Sequence, residues 1–237
     1  MMSSLFPGLL EPRYLFWLLK GFGLTLQISL FTIVLATLLG LLLAAARETR
    51  WLAAPCIAWM SLFRNTPLLV QLFFWYFGAA SLLPEAWMDW LNTPRDAFGV
   101  PWPSFEWIAA LFGLTLYTAA FVAEEIRAGI RGVGRGQRAA AAALGLTGWQ
   151  AFRWVILPQA LRIARSPLFG QYMNVVKNSS LAMAIGLAEL SYASRQVETE
   201  TLKTFQAFGV ATLLYMAGVM MVQAAGRRRT AQCSTSR

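Results

Sequence analysis

The chain has 237 residues, 57% hydrophobic and 13% charged, with a formal net charge of +9. That leaves too little polar surface for a water-soluble globule and points to an all-α integral membrane protein, with basic residues grouped between apolar stretches as topology demands rather than spread out for nucleic acid. Two distant cysteines, Cys56 and Cys233, with no CxxC pair and no histidine, argue against a zinc site, histidine-ligated haem and a disulfide framework.

Residues 21–46 carry no charge, and about 20 helical residues cross a hydrocarbon core of roughly 30 Å, so this is the first predicted span. No basic n-region with a short apolar core and cleavage site precedes it, and it is expected to be kept. Gly21, Gly23, Thr25, Gln27, Ser29, Thr32, Thr37 and Gly40 suggest a face packed on other helices, and Arg47, Glu48 and Arg50 end the span.

The second predicted span, 52–80, holds a single charge, Arg64, within SLFRNTPLLVQLFFWYFG. An arginine near mid-membrane costs about 2.5–3.5 kcal/mol on insertion scales, so it normally faces protein or water. Arg64 and Asn65 are therefore candidates for a solute path, with Pro67 interrupting the backbone beside them. The alternative is a helix-end arginine that snorkels to the interface or pairs with another loop. Residues 83–104 read as a loop rich in Pro, Trp and Asp, in which Trp87, Trp90 and Trp102, with Trp107 beyond it, form an interfacial aromatic belt.

The third predicted span, 106–124, is closed by Glu124 and Glu125. From there to Pro167 the chain is polar and carries seven arginines, and its punctuation predicts short helices at a membrane surface. Ala139 to Leu144 is strongly helix-forming, and Gly145 is a natural stop. Thr147 and Gln150 fit a capping box that starts a second helix. Pro158 is expected to interrupt or restart that helix, and Ser166 with Pro167 to open the next one as N-cap and first residue. An ordinary interfacial helix on anionic lipid is the plain alternative for this loop.

The fourth predicted span, 167–188, is interrupted by Lys177, Asn178, Ser179 and Ser180. These residues are candidates to line a path, the ammonium attracting a carboxylate, against the alternative of helix–helix hydrogen bonding. Residues 189–203 read as a polar loop, and 204–226 as the fifth span. Arg227, Arg228 and Arg229 stop it, and the tail is expected to be disordered.

GQRAAAAALG followed by ILPQALR resembles the EAA loop of the inner-membrane subunits of ABC importers, in the version found in polar amino-acid uptake systems. FRNTPLLVQ and VVKNSS resemble two further phrases of that family in the same order, over about Gly21 to Gly226, and the whole is most similar to the glutamate/aspartate branch. The resemblance implies a type I importer fold of five transmembrane helices, with a cytoplasmic coupling loop between the third and fourth spans. It implies that Ala140, Ala141, Gly145 and Pro158 couple the chain to a separate ATP-hydrolysing subunit. Ala139 stands where the family has glutamate, so any contact made by that carboxylate is absent.

No GxxxxGK[ST] phosphate cradle occurs, so the chain is expected to be a transport subunit rather than an enzyme, with no catalytic residue, metal or cofactor of its own and ATP and Mg on the partner. The further partners implied are a second permease half, alike or different, a periplasmic amino-acid-binding protein and the lipid bilayer. Thirteen basic residues fall on the side of the arginine-rich loop and five on the other, with Arg64 and Lys177 within spans. The positive-inside rule then puts residues 1–20 in the periplasm and the basic tail, 227–237, in the cytoplasm. Glutamate/aspartate is the expected cargo, with glutamine, arginine or histidine as alternatives. An ion-coupled secondary transporter, which would want carboxylates in mid-membrane, and a non-transporting scaffold, which would leave Arg64 and Lys177 unexplained, are the rivals.

Overall fold

The computed structural model describes residues 10–93, 96–97, 100–101 and 104–234; Arg95, Trp102 and the segment before Leu10 lie outside them. Apart from one antiparallel pair of two-residue strands, β1 (Asp96–Ala97) and β2 (Val100–Pro101), the regular structure is helical. By length and composition, three helices among the described residues can cross a membrane: α1 (Pro12–Ala46), α5 (Phe105–Gly132) and α10 (Thr204–Ser234) through Gly226.

The second hydrophobic stretch is broken into α2 (Ala53–Asn65) and α3 (Leu68–Phe73). The break falls at Pro67, which sits in extended conformation (φ −58°, ψ 134°) ahead of α3, because proline cannot continue the hydrogen-bond ladder behind it. A π-turn, Phe74–Gly78, and a 3₁₀ turn, Ala80–Leu82, follow. The loop expected after it contains a helix, α4 (Glu85–Asn92), with Glu85 in its positively polarised first turn. Next in the chain, α5 continues past the apolar run to Gly132.

Beyond α5 come α6 (Arg135–Ala143), α7 (Gly148–Ala151), a π-turn (Phe152–Ile156), α8 (Leu157–Asn178), a 3₁₀ stretch (Ser179–Ile185) and α9 (Leu190–Thr201). Three expectations are corrected here. Ser166 and Pro167 do not open a helix: Pro167 lies inside α8, where the missing N–H removes one bond of a long ladder whose neighbours hold the helix together. The supposed polar loop 189–203 is largely α9, and the supposed disordered tail continues α10 as far as Ser234.

The described residues divide into two compact units. The first contains the residues up to Thr32, with Thr66–Thr115 and Asn174–Met221. Its core joins Leu10, Tyr14 and Leu18 of the N-terminal part to Leu190, Ala193 and Val197 of α9 and Ala207 and Ala211 of α10. Leu190, Ala193, Ser194 and Val197 recur at i, i+3, i+4 and i+7, which gives α9 one buried stripe. Glu189 is fully buried at its N-terminus and accepts from the backbone N–H groups of Ser191 (2.8 Å) and Tyr192 (3.0 Å). Its other oxygen accepts from Thr25 Oγ1 (3.2 Å) and the Tyr215 hydroxyl, so one carboxylate caps α9 and ties it to α1 and α10.

The second unit contains Ile33–Asn65, Leu116–Met173 and the residues from Val222 on. Helices approach closely in it where side chains vanish. A Cβ on Gly129 of α5 would lie 2.6 Å from the Ala160 carbonyl oxygen and 2.8 Å from Ala164 Cβ of α8. Gly129→Val is therefore expected to cost about 1–3 kcal/mol through overpacking, read as a lowered Tm of the purified protein. Gly136→Ala, at a position with nothing within 4 Å, is expected to leave Tm unchanged or raise it; equal Tm values for the Gly129 variant and the wild type would refute the close approach.

Candidate functional site

The basic loop of the second unit is built by local side-chain-to-backbone and backbone geometry. At the end of α6, Leu146 N–H donates to Ala141 O (3.1 Å) and Gly145 N–H to Ala142 O (2.9 Å), the paired bonds of a Schellman stop. Gly145 has φ +73°, a left-handed conformation that costs other L-residues about 1–2 kcal/mol. Two residues later the capping box forms in full: Gln150 N–H donates to Thr147 Oγ1 (3.4 Å) and Thr147 N–H to Gln150 Oε1 (2.9 Å).

Pro158, the second residue of α8, follows the π-turn. Lacking an N–H, it cannot donate to the ladder, and just before it Leu157 N–H reaches five residues back to Phe152 O. The backbone therefore runs helically from α7 into α8 with a shifted register rather than a break. Beneath the loop, Val133, Ile156 and Ala160 form a small core with Ile130 and Phe152.

Of the five alanines of α6 only Ala141 is buried, and Ala140 is exposed. Leu144 (79% exposed), Trp149 (71%) and Trp154 (68%) lie open on the same loop. They are large apolar groups exposed on an otherwise polar loop.

Arg64 belongs to an ion-pair cluster in this unit. Glu124 of α5 accepts from Arg47 Nη1 just past α1 (2.8 Å) and from Arg131 Nη2 (2.8 Å). Arg64 Nη1 and Arg127 Nη1 stand 3.8 Å away, and Arg127 Nε also reaches Glu48 Oε1 (3.4 Å). Four guanidiniums thus converge on one carboxylate. The Arg64 guanidinium also lies 5.5 Å from the centre of the Phe121 ring. Asn65, the last residue of α2, is exposed. Sequence reasoning took Glu124 as the close of a span and missed it as the centre of this cluster. Its partners Arg47 and Arg64 lie on other segments, and no local pattern announces such pairs.

Lys177, Asn178, Ser179 and Ser180 lie in the first unit, at the change from α8 to the 3₁₀ stretch. That stretch packs against α3. Ser179 is buried and donates to Val176 O (2.8 Å), and Ser180 donates to Lys177 O (2.7 Å); both bonds are local. Lys177 is exposed and Asn178 half-buried. Among the described residues, no group of three or more His, Cys, Asp or Glu side chains is placed to hold a metal ion.

A family model described as "Binding-protein-dependent transport system inner membrane component" matches residues 36–230. The chain belongs to this family. Its members named here are transport components, and the chain is accordingly an inner-membrane transport subunit rather than an enzyme. It is 35% identical over 225 residues to the glutamate/aspartate import permease protein GltJ of Escherichia coli (strain K12), covering 92% of this chain and 89% of that one. It is 35% identical to the probable amino-acid ABC transporter permease protein PatM of Vibrio harveyi (86% of each chain) and 36% identical to the probable glutamine ABC transporter permease protein GlnM of Bacillus subtilis (84% of each). The fold is similar to that of a solved amino acid ABC transporter "with histidines", with a TM-score of 0.79, 26% identity and coverage of 93% of this chain and 95% of that one. The MetNI methionine ABC transporter shares the fold, with a TM-score of 0.70 at 21% identity over 92% of this chain and 97% of that one.

The ion-pair geometry carries its own test. Glu124→Gln would leave four guanidiniums with no shared anion and is expected to cost about 1–3 kcal/mol, read as a lowered Tm. Glu48→Gln, which loses one exposed pair, should cost about 0–1 kcal/mol. A Glu124 variant no less stable than the Glu48 variant would remove Glu124 from the centre of the cluster.

Proposed function

We propose that this chain is a permease half of an ATP-driven importer of polar amino acids, with glutamate or aspartate as cargo. The observation that carries the reading is the loop of α6 and α7. Two tight helix ends, at Gly145 and Thr147, fix its shape, and it holds out Leu144, Trp149 and Trp154 inside a family of binding-protein-dependent transport components. A rigid loop with an apolar tip suits a groove on an ATPase. Ala140, Ala141, Gly145 and Pro158 shape that loop, and a similar or identical second half completes the path.

Five spans follow, two of them from the broken stretch around α2 and α3 and from α8 with its 3₁₀ continuation. The N-terminus lies outside and the arginine-rich loop and C-terminus in the cytoplasm. A periplasmic binding protein selects the amino acid. The cargo assignment draws on the likeness to the glutamate/aspartate permease, and glutamine is the second reading, favoured by the likeness to a probable glutamine permease. Arg64, Asn65, Lys177, Asn178, Ser179 and Ser180 are the path residues. Lys177 leads them, because its side chain is exposed while the two serine hydroxyls bond their own backbone.

The test is ATP hydrolysis by the chain reconstituted in liposomes with its co-purifying subunits, with binding protein loaded with glutamate, aspartate, glutamine or arginine. Stimulation by glutamate or aspartate is expected, while uptake that follows an ion gradient without an ATPase would overturn the importer. Gly145→Val is expected to abolish stimulation while the chain still folds and inserts, its Tm lowered only by the about 1–2 kcal/mol of left-handed backbone strain, since nothing within 4 Å adds a clash. Normal stimulation by that variant would end the coupling assignment. Lys177→Met is expected to lower glutamate uptake at least about 10-fold, the scale of losing one charge-assisted bond; unchanged uptake would take the lysine off the path.

A further inference from the structure

A cavity of about 260 Å³ opens in the second unit beside α8 and α10, lined by Arg162, Arg165, Ser166, Phe169, Met173, Gln223 and Gly226. The five lining residues of α8 recur at i, i+3, i+4, i+7 and i+11, so they form one stripe along the helix. The stripe changes chemistry along its length. Two guanidiniums and a hydroxyl come first, then an aromatic ring, then a thioether, over about 16 Å at 1.5 Å per residue.

The polar end is also anchored. Arg165 Nη2 donates to Gly226 O (2.6 Å), and its guanidinium lies 6.0 Å from the centre of the Phe169 ring. A guanidinium carries five N–H donors on three nitrogens, so this bond orients Arg165 without exhausting it. Among the described residues, no acidic side chain lines the cavity. In the sequence, Gly226 ends a charge-free run of 23 residues and is followed by Arg227, Arg228 and Arg229, which marks its depth as the edge of the hydrocarbon.

We infer that this cavity is a binding site for a phospholipid with an anionic headgroup. The phosphate sits on Arg162, Arg165 and Ser166, and the glycerol and upper acyl carbons run along Phe169 and Met173. A free anion would use the polar end alone. The apolar continuation in the direction of the span fits an amphiphile, and basic pockets between membrane helices on the cytoplasmic side take headgroups of this kind. The site does not depend on which amino acid is carried or on how the loop meets an ATPase.

The purified full chain, with its co-purifying subunits in detergent, is titrated with dioleoyl phosphatidylglycerol or dioleoyl phosphatidylcholine, and bound lipid is counted by native mass spectrometry. Phosphatidylglycerol is expected to be held in preference. At about 5-fold per basic residue near the surface, Arg162→Gln with Arg165→Gln should weaken its binding roughly 25-fold. Arg50→Gln, outside the cavity, should leave it unchanged. Because Arg165→Gln also removes the bond to Gly226, Arg162→Gln alone is the second variant, expected to lose about 5-fold at unchanged Tm. Equal retention of the two lipids, equal binding by the variants and the wild type, or displacement of the lipid by glycerol 3-phosphate at the concentration where that small anion binds by itself would overturn the site.

Discussion

One carboxylate, Glu124, governs the end of the second unit from which the basic loop departs. At an effective dielectric of about 20, each unit-charge pair at 4 Å gains roughly 4 kcal/mol before desolvation, which takes much of it back. Four like charges around one anion cannot all be bonded, and the distances record this: two arginines at 2.8 Å and two at 3.8 Å. The cluster therefore contributes less as net stability than as register. It holds the end of α1, the end of α2 and two turns of α5 to a common point. Because α5 is unbroken through Gly132, Glu124, Arg127 and Arg131 stand on one continuous helix that leads up to the basic loop.

Helix ends were legible in the sequence wherever the deciding interaction is local. The stop at Gly145 and the box at Thr147 and Gln150 each join atoms a few residues apart, and both stand where the residue types placed them. The break at Pro67 follows from the same logic. Pro167 was misread because a proline preceded by serine suits a helix start and a helix interior equally well; the difference lies in whether the preceding turns are already helical. The α9 stripe was present as Leu190, Ala193, Ser194 and Val197, but Arg195 within it and Glu198 and Glu200 just beyond suggested a loop. The depth of Glu189 was not legible at all, since it depends on Thr25 and Tyr215, which come from distant parts of the chain.

The candidate path residues divide along the same physical line. Ser179 and Ser180 had an economical local use that sequence reading underrated. Where α8 tightens into a 3₁₀ stretch, carbonyls lose their usual partners, and a hydroxyl three residues on can take one up. Lys177 has no acceptor of its own to give and carries a charge that a hydrocarbon setting penalises, so its exposure asks for an aqueous or ligand-bearing surface. Arg64 stands between these cases. Its charge is shared with Glu124 at 3.8 Å, which lowers the cost of keeping it there while leaving a guanidinium with donors to spare.

Helices α5 and α8 both run across the boundary between apolar and basic sequence without stopping. A span that ended at the hydrocarbon edge would leave four carbonyls or four N–H groups to be satisfied there, at the depth where water is scarce. Carrying the helices onward moves those ends into the loop: α5 stops at Gly132, and the helical run that leads into α8 starts at the capping box of Thr147 and Gln150. The arginines on the extended turns then stand along helical stripes rather than on flexible loops. That placement accounts for both uses of the charge: where a carboxylate projects into the same level, as Glu124 does, the arginines gather on it. Where none does among the described residues, as along Arg162 and Arg165, the guanidiniums turn to the Gly226 carbonyl, to water and to the lipid phosphate inferred above.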